Sequence, residues 1–157
     1  DDAIEKLDAG LRNWASLLRE ATGRDVNVPG AGAAGGFPAS FLAFTEATLE
    51  GGFALVAGLT GLPERLADAD LVITGEGSMD SQSLTGKAPI ALAEAARERG
   101  IPVVAVAGRI LVTAEELAEH GVVAAAQLLD VAPSPQDAIS DAGKYLTWAT
   151  RQVLEGA

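Results

Sequence analysis

The sequence contains no cysteine and a single histidine, His120. The absence of cysteine excludes a disulfide framework, a thiolate metal site, an iron–sulfur cluster and a thiol nucleophile. One histidine excludes a multi-histidine metal site within the chain. Aromatic residues make up only 4% of the sequence, so the core must be built from Ala, Val, Leu and Ile. Cations are scarce: 11 Lys and Arg face 22 Asp and Glu, a net charge of −11. Without a basic run, nucleic acid and anionic membrane surfaces are poor partners, because phosphate-rich polymers select Lys and Arg. Single nucleotides remain admissible, since backbone N–H groups and a metal can hold them. No apolar run approaches the roughly 18 residues of a membrane span. No signal peptide is visible, so a soluble cytoplasmic protein is expected. An initiator is lacking too: the first residue is Asp1 and the one methionine is Met79. A processed product or a fragment of a longer protein is therefore expected.

What is present is globular: 157 residues, 48% hydrophobic and 21% charged, with 18 glycines. Ile4, Leu7, Leu11, Trp14 and Leu18 recur at helical spacing and predict a first helix stopped by Gly23. A short extended piece at 26–29 leads into the run Gly30-Ala31-Gly32-Ala33-Ala34-Gly35-Gly36. A second helix is expected to carry Phe37, Phe41, Phe44 and Thr48 on one side and to end at Gly51-Gly52. Downstream the pattern alternates. Strands are predicted at 53–57, 71–74, 102–107 and 122–129, and helices at 62–67, 89–99, 114–120 and 137–154. Trp14 and Trp148 fall on apolar helix faces and read as core. Alternating strands and helices predict an α/β fold, a parallel sheet flanked by helices in a Rossmann-like three-layer arrangement. The composition changes near Gly51-Gly52. Residues 1–52 (helix, Gly-rich loop, helix) are therefore expected to belong to an incomplete second domain, and 53–157 to the Rossmann-like domain.

Two loops carry candidate chemistry. The run Gly30–Gly36 precedes a helix, where backbone N–H groups and the helix dipole can approach an anion. Gly30, Gly32 and Gly35 also satisfy G-x-G-x-x-G. A dinucleotide fingerprint, however, needs a firm strand before it and an acid at the next strand end; Pro29 and the position of Glu50 argue against one. A tight turn or close helix packing is the plain alternative.

The second loop, Gly75 to Lys87, leaves the carboxyl end of a predicted strand, the edge at which open α/β sheets bind ligands. Glu76 and Asp80, with hydroxyls and Lys87, form the set that Mg²⁺-assisted phosphoryl transfer uses. The carboxylates can hold a hydrated metal or take the proton of an attacking hydroxyl, and Lys87 can balance phosphate charge. The segment is not a Walker A loop, which would need glycine at position 81 and Ser or Thr at position 88; Ser81 and Ala88 stand there. A solvated loop with Asp80 or Ser83 as a cap is the competing reading. Arg109, beyond another strand of the same edge, can reach a phosphate or remain a solvated charge. His120, before Gly121, reads as a helix C-terminal residue.

At this point the motifs match something specific. Val28–Gly36 and Ala69-Asp70-Leu71-Val72-Ile73-Thr74-Gly75-Glu76-Gly77, continuing through Asp80-Ser81-Gln82-Ser83 and Gly86-Lys87, closely resemble the bacterial glycerate kinases of the type I (glycerate 2-kinase) family. The likeness runs from about Leu7 to the C-terminus. It implies a two-domain α/β enzyme with its active site in the interdomain cleft. It also implies ATP- and Mg²⁺-dependent phosphorylation of D-glycerate to 2-phosphoglycerate. Chains of that family are more than twice as long and carry an Asp-Ser-Phe-Lys and an Ala-Asp-Gly-Gly-Glu-Gly segment, both missing here. This chain therefore looks like the C-terminal part of such a kinase, inactive without the N-terminal part of the same enzyme.

Within the matching loop Glu76, Asp80 and Lys87 are the catalytic candidates, Glu76 or Asp80 as metal ligand or base and Lys87 as phosphate partner. Gly30, Gly32, Gly35, Gly36, Gly75, Gly77, Ser81 and Arg109 are the substrate- or phosphate-binding candidates. Ser78 departs from the basic residue the family often has after Gly-Glu-Gly. Two other readings stand beside this one: a nucleotide- or dinucleotide-binding module that catalyses nothing, and a stable but inert excised domain.

Overall fold

The computed structural model describes residues 2–156. The chain divides into two compact units, Asp1–Gly51 and Gly52–Ala157. No helix among the described residues is long and apolar enough to cross a membrane.

In the first unit, α1 (Asp2–Thr22) carries acids in its first turn and Arg19 in its last, matching the helix dipole. It stops where Gly23 turns left-handed at φ 73°. The predicted apolar stripe is only partly covered. Leu18 packs with Val26, Ala31, Ala39 and Ala43, whereas Ile4 and Leu7 are exposed. Trp14, expected in the core, is 39% exposed, because the returning chain covers only the C-terminal half of α1 within this unit. Residues 26–29 form no strand. The next helix, α2 (Ala33–Phe44), is regular only from Phe37, since Ala34, Gly35 and Gly36 are left-handed. It ends at Phe44, short of the expected Gly51-Gly52. Arg24 donates to the carbonyls of Leu42 and Thr45 and pairs with Glu46, while the Thr45 hydroxyl takes the Phe41 carbonyl. With its terminal carbonyls satisfied, the helix stops there. Small Ala39 and Ala43 face inward; Phe37, Phe41 and Phe44 face out.

In the second unit a helix, α3 (Gly52–Thr60), stands where a strand at 53–57 was expected. A short continuous apolar run does not distinguish the two by periodicity, and helix formers such as Ala54, Leu55 and Ala57 prevail. Then follow α4 (Leu62–Ala67), β1 (Val72–Thr74), β2 (Ser78–Met79), α5 (Ala88–Arg97), β3 (Val103–Ala107), β4 (Arg109–Ile110), α6 (Ala114–Glu119), β5 (Val122–Gln127), α7 (Pro135–Ser140) and α8 (Ala142–Glu155). The main sheet is parallel in the order β1-β3-β5, with Val72 opposite Val103 and Ala105 opposite Ala125.

Central β3 is buried along its whole length, and its side chains alternate between two cores. Val103, Ala105 and Ala107 pack with Ile90, Ala93 and Leu117 on the α5/α6 face. Val104 and Val106 pack with Ala138, Tyr145, Ala149 and Val153 on the α7/α8 face. Burying each such valine contributes about 1.5–3 kcal/mol. The predicted last helix is two: Asp141 breaks it at φ −128°, ψ 43°. Ser134 caps α7 by accepting from the Asp137 N–H. Trp148, expected in the core, is 47% exposed and stacks edge-on against buried Tyr145, with Lys144 over both rings.

The loop leaving β1 is bound to the end of β3 chiefly by backbone hydrogen bonds. The Gly108 N–H donates to the Glu76 carbonyl at 3.1 Å, the Arg109 N–H to that of Gly77 at 3.3 Å, and the Leu111 N–H to that of Met79 at 2.8 Å. A Cβ on Gly75 would stand 1.9 Å from the Val106 carbonyl oxygen, and one on Gly108 would stand 2.4 Å from that of Gly77. Met79 is fully buried and anchors the loop in the α5-side core. Gly75→Ala is thus expected to lower stability by about 3 kcal/mol, the high end of overpacking costs. Gly77→Ala, with nothing within 4 Å of the new methyl, is expected to leave it nearly unchanged. Urea unfolding of both variants measures the contrast.

Candidate functional site

Residues 75–87 form a tightly wound loop on the carboxyl edge of the sheet. Asp80 organises it: Oδ1 accepts from the N–H groups of Gln82 at 2.9 Å and Ser83 at 3.2 Å. Ser83 is fully buried, and its hydroxyl accepts from the Asp80 N–H at 3.0 Å. The Asp80 carbonyl accepts from the Ser83 N–H, and the Ser83 carbonyl from the Lys87 N–H at 3.3 Å. Gly86, left-handed at φ 93°, then turns the chain into α5. This winding brings Lys87 Nζ to 3.9 Å from Asp80 Oδ1. At 44% and 36% exposure the ion pair adds little stability; it holds the ammonium in place. Asp80 is thus both the turn's cap and one member of a charged pair.

Glu76 differs. Its Oε1 is buried and has no hydrogen-bond partner among the described residues. Buried polar atoms are nearly always paired, so this one is an acceptor in want of a donor or cation. Two clefts meet at this residue. One, of about 540 Å³, is lined by Phe53, Thr74, Glu76, Lys87 and the start of α5. The other, of about 720 Å³, lies toward α7 and α8. Thr74, Gly75 and Glu76 line both.

The structure gathers Gly75, Glu76, Gly77, Asp80, Ser81, Lys87 and Arg109 at one sheet edge. Ser81 is an exposed turn residue. The Arg109 Nε donates to the Ser78 hydroxyl at 2.9 Å, and Arg109 lines neither cleft. His120 lies elsewhere: at the end of α6, its Nδ1 is 2.8 Å from Glu94 Oε1 on α5.

The glycine-rich loop belongs to the first unit. Gly30, Gly35 and Gly36 have positive φ, as does Ala34 at 48°. Gly32 and Gly36 lie against α1: a Cβ on Gly36 would meet Leu11 at 2.9 Å and Trp14 at 3.2 Å. These two glycines allow helix packing, whereas Gly35 faces open space. Without a preceding strand, Gly30-x-Gly32-x-x-Gly35 does not open a dinucleotide-binding unit. A cleft of about 400 Å³ beside the loop is lined by Arg12 and Arg19 as well as Gly32 and Gly36. Sequence reasoning passed over these arginines; their seven-residue spacing, which places both on one helix face, was the available signal. It likewise passed over Phe53 as a lining residue, whereas Ser83, read there as a possible cap, is buried and bonded to the Asp80 N–H. No cluster of three or more acidic or histidine side chains suited to a metal occurs among the described residues.

Comparison with known proteins identifies a family. The glycerate kinase family model matches residues 1–156. The chain is 41% identical over 151 residues to a glycerate kinase of Halalkalibacterium halodurans, covering 96% of this chain and 40% of that protein. It is 37% identical over 151 residues to the glycerate 2-kinase of Escherichia coli, with the same coverage of each. A crystal structure of glycerate kinase 2 from Salmonella typhimurium LT2 superposes with a TM-score of 0.57 at 41% identity, covering 80% of this chain and 32% of the other. The chain spans about 40% of the length of the curated relatives it matches. In sequence over nearly its whole length, and in the fold of most of it, this chain belongs to the glycerate kinase family.

Proposed function

We propose that this chain is the C-terminal part of a cytoplasmic kinase that transfers the γ-phosphoryl group of ATP to D-glycerate, giving 2-phosphoglycerate. Family membership supports the reaction class. The observation that carries the site assignment is the unpartnered, buried Glu76 Oε1 in a cleft that Lys87 also lines. In this reading Lys87 binds phosphate oxygens, its ammonium steered by Asp80. Asp80 Oδ1 is committed to the loop, which leaves Oδ2 to accept the proton of the attacking glycerate hydroxyl. A bond then forms from that oxygen to the γ-phosphorus as the bond to ADP breaks.

The donor set fits Mg²⁺, which is usually held by one or two carboxylates together with substrate phosphates and water, not by an all-protein cage. Glu76 would hold it directly and Asp80 through the metal's water shell, which leaves Oδ2 able to take the proton. When bound, Mg²⁺ neutralises charge on the transferring phosphoryl group. Residues 1–52, with Gly30, Gly32, Gly35 and Gly36, would belong to a second domain that contributes to the glycerate or phosphate cradle. Arg109, tied to Ser78, and Ser81 would flank the phosphates. The preceding part of the enzyme would complete the active site, so that this chain alone turns nothing over.

In the full-length enzyme, Asp80→Asn is expected to keep the cap and the fold but to lower kcat about 100-fold or more. Asp80→Ala, which also loses the cap, should cost an additional ~1 kcal/mol in urea unfolding. Lys87→Ala is expected to raise KM for ATP. Full activity in both Asp80→Asn and Lys87→Ala would sink the assignment.

A further inference from the structure

The two clefts that meet at Glu76 differ in chemistry. The cleft with Lys87 offers an ammonium to an anion. The other is walled by Ile73, Val106, Leu128, Ile139 and Leu146, and the only charged residue lining it is Glu76. Glycerate, a small polyhydroxy anion, would find no cation there and few hydroxyl partners. A planar, neutral ring would find aliphatic walls and a volume of about 720 Å³, within the range of about 300–1,000 Å³ typical of small-molecule sites. The floor is short as well as apolar: Ala142 and Gly143, at the start of α8, present almost no side chain. The shared wall Thr74-Gly75-Glu76 carries no bulk at Gly75, which the Val106 carbonyl keeps as glycine.

We infer that the apolar cleft between the ends of β1 and β3 and the α7/α8 pair seats the purine base of the nucleoside triphosphate, whose phosphates cross the Gly75-Glu76 wall to Lys87. This rests on the kinase reading above and adds where the donor's base lies. One molecule with an apolar planar end and a polyanionic end matches two contiguous clefts of those two characters. The unpartnered Glu76 oxygen sits at their junction, where the sugar hydroxyls or the cation accompanying the phosphates would arrive. Adenine burial against Val106, Leu128 and Leu146 follows the usual pattern of a mostly apolar ligand pocket with few polar groups.

The test compares ATP with inorganic tripolyphosphate, which carries the phosphates without the base, by calorimetry on the full-length protein. The unchanged protein is expected to bind ATP at least 10-fold more tightly than tripolyphosphate. Gly143→Leu fills the floor of the cleft; Gly143 has nothing within 4 Å of its Cβ position and does not take a positive φ, so the helix accepts the side chain. This variant should lose most of the preference for ATP while its Kd for tripolyphosphate stays the same. Unchanged tripolyphosphate binding also reports an intact fold. Should Gly143→Leu fail to fold, Ile139→Ser, on a side chain 74% exposed, is expected to weaken ATP about 3-fold with tripolyphosphate unaffected. An undiminished preference for ATP in the folded variants, or equal binding of ATP and tripolyphosphate by the unchanged protein, overturns the inference. ATP binding that Gly143→Leu weakens, with no turnover of D-glycerate, would instead refute the kinase reading and leave the base site standing.

Discussion

The site depends on one close approach: the backbone of Gly75-Glu76-Gly77 lying on the backbone of Val106-Ala107-Gly108. Hydrogen bonds from Gly108 and Arg109 hold the two segments together, and the bare α-carbons of Gly75 and Gly108 let the chains touch. Any side chain at Gly75 or Gly108 would separate them. Glu76 lies inside this contact, so main-chain hydrogen bonding fixes where its side chain leaves the backbone. Its Oε1 is buried and has no hydrogen-bond partner among the described residues.

The same approach divides the sheet edge in two. On the α5 side the loop continues through Met79, buried in the core, and through the Asp80–Ser83 turn, which delivers Lys87 to the head of α5. On the α7/α8 side the ends of the strands meet short and aliphatic side chains, with Thr150 the one polar side chain those helices add to the lining. A charged and an apolar cleft therefore arise from one sheet whose two faces are covered by different helices. Burial of β3 on both faces gives the platform its rigidity, and the exposed loops inherit their precision from it.

Much of this was legible from periodicity. The helix at 62–67 and the strands near 72, 103 and 122 lie close to where alternating patterns and glycine stops placed them. The failures share a cause. The run at 53–57 is apolar without a period, so local sequence could not choose between strand and helix. The end of α2 was set by Arg24, a residue well before the helix, reaching its last carbonyls. Trp14 and Trp148 lie on genuinely amphipathic helices, but how much of an apolar stripe is covered depends on what packs against it.

The sequence by itself determined a parallel α/β arrangement, a core of small aliphatic residues forced by the scarcity of aromatics, and a polar loop with two carboxylates and a lysine at a strand's carboxyl end. Periodicity and composition are local properties, and they sufficed for that. Only the tertiary structure decided which glycines serve packing and which serve a loop. It also decided that Asp80 is partly consumed as a cap while Glu76 keeps a free buried oxygen, and that an apolar cleft adjoins the charged one. Each of those facts is a distance between segments remote in sequence, and such distances are set by how the folded chain meets itself.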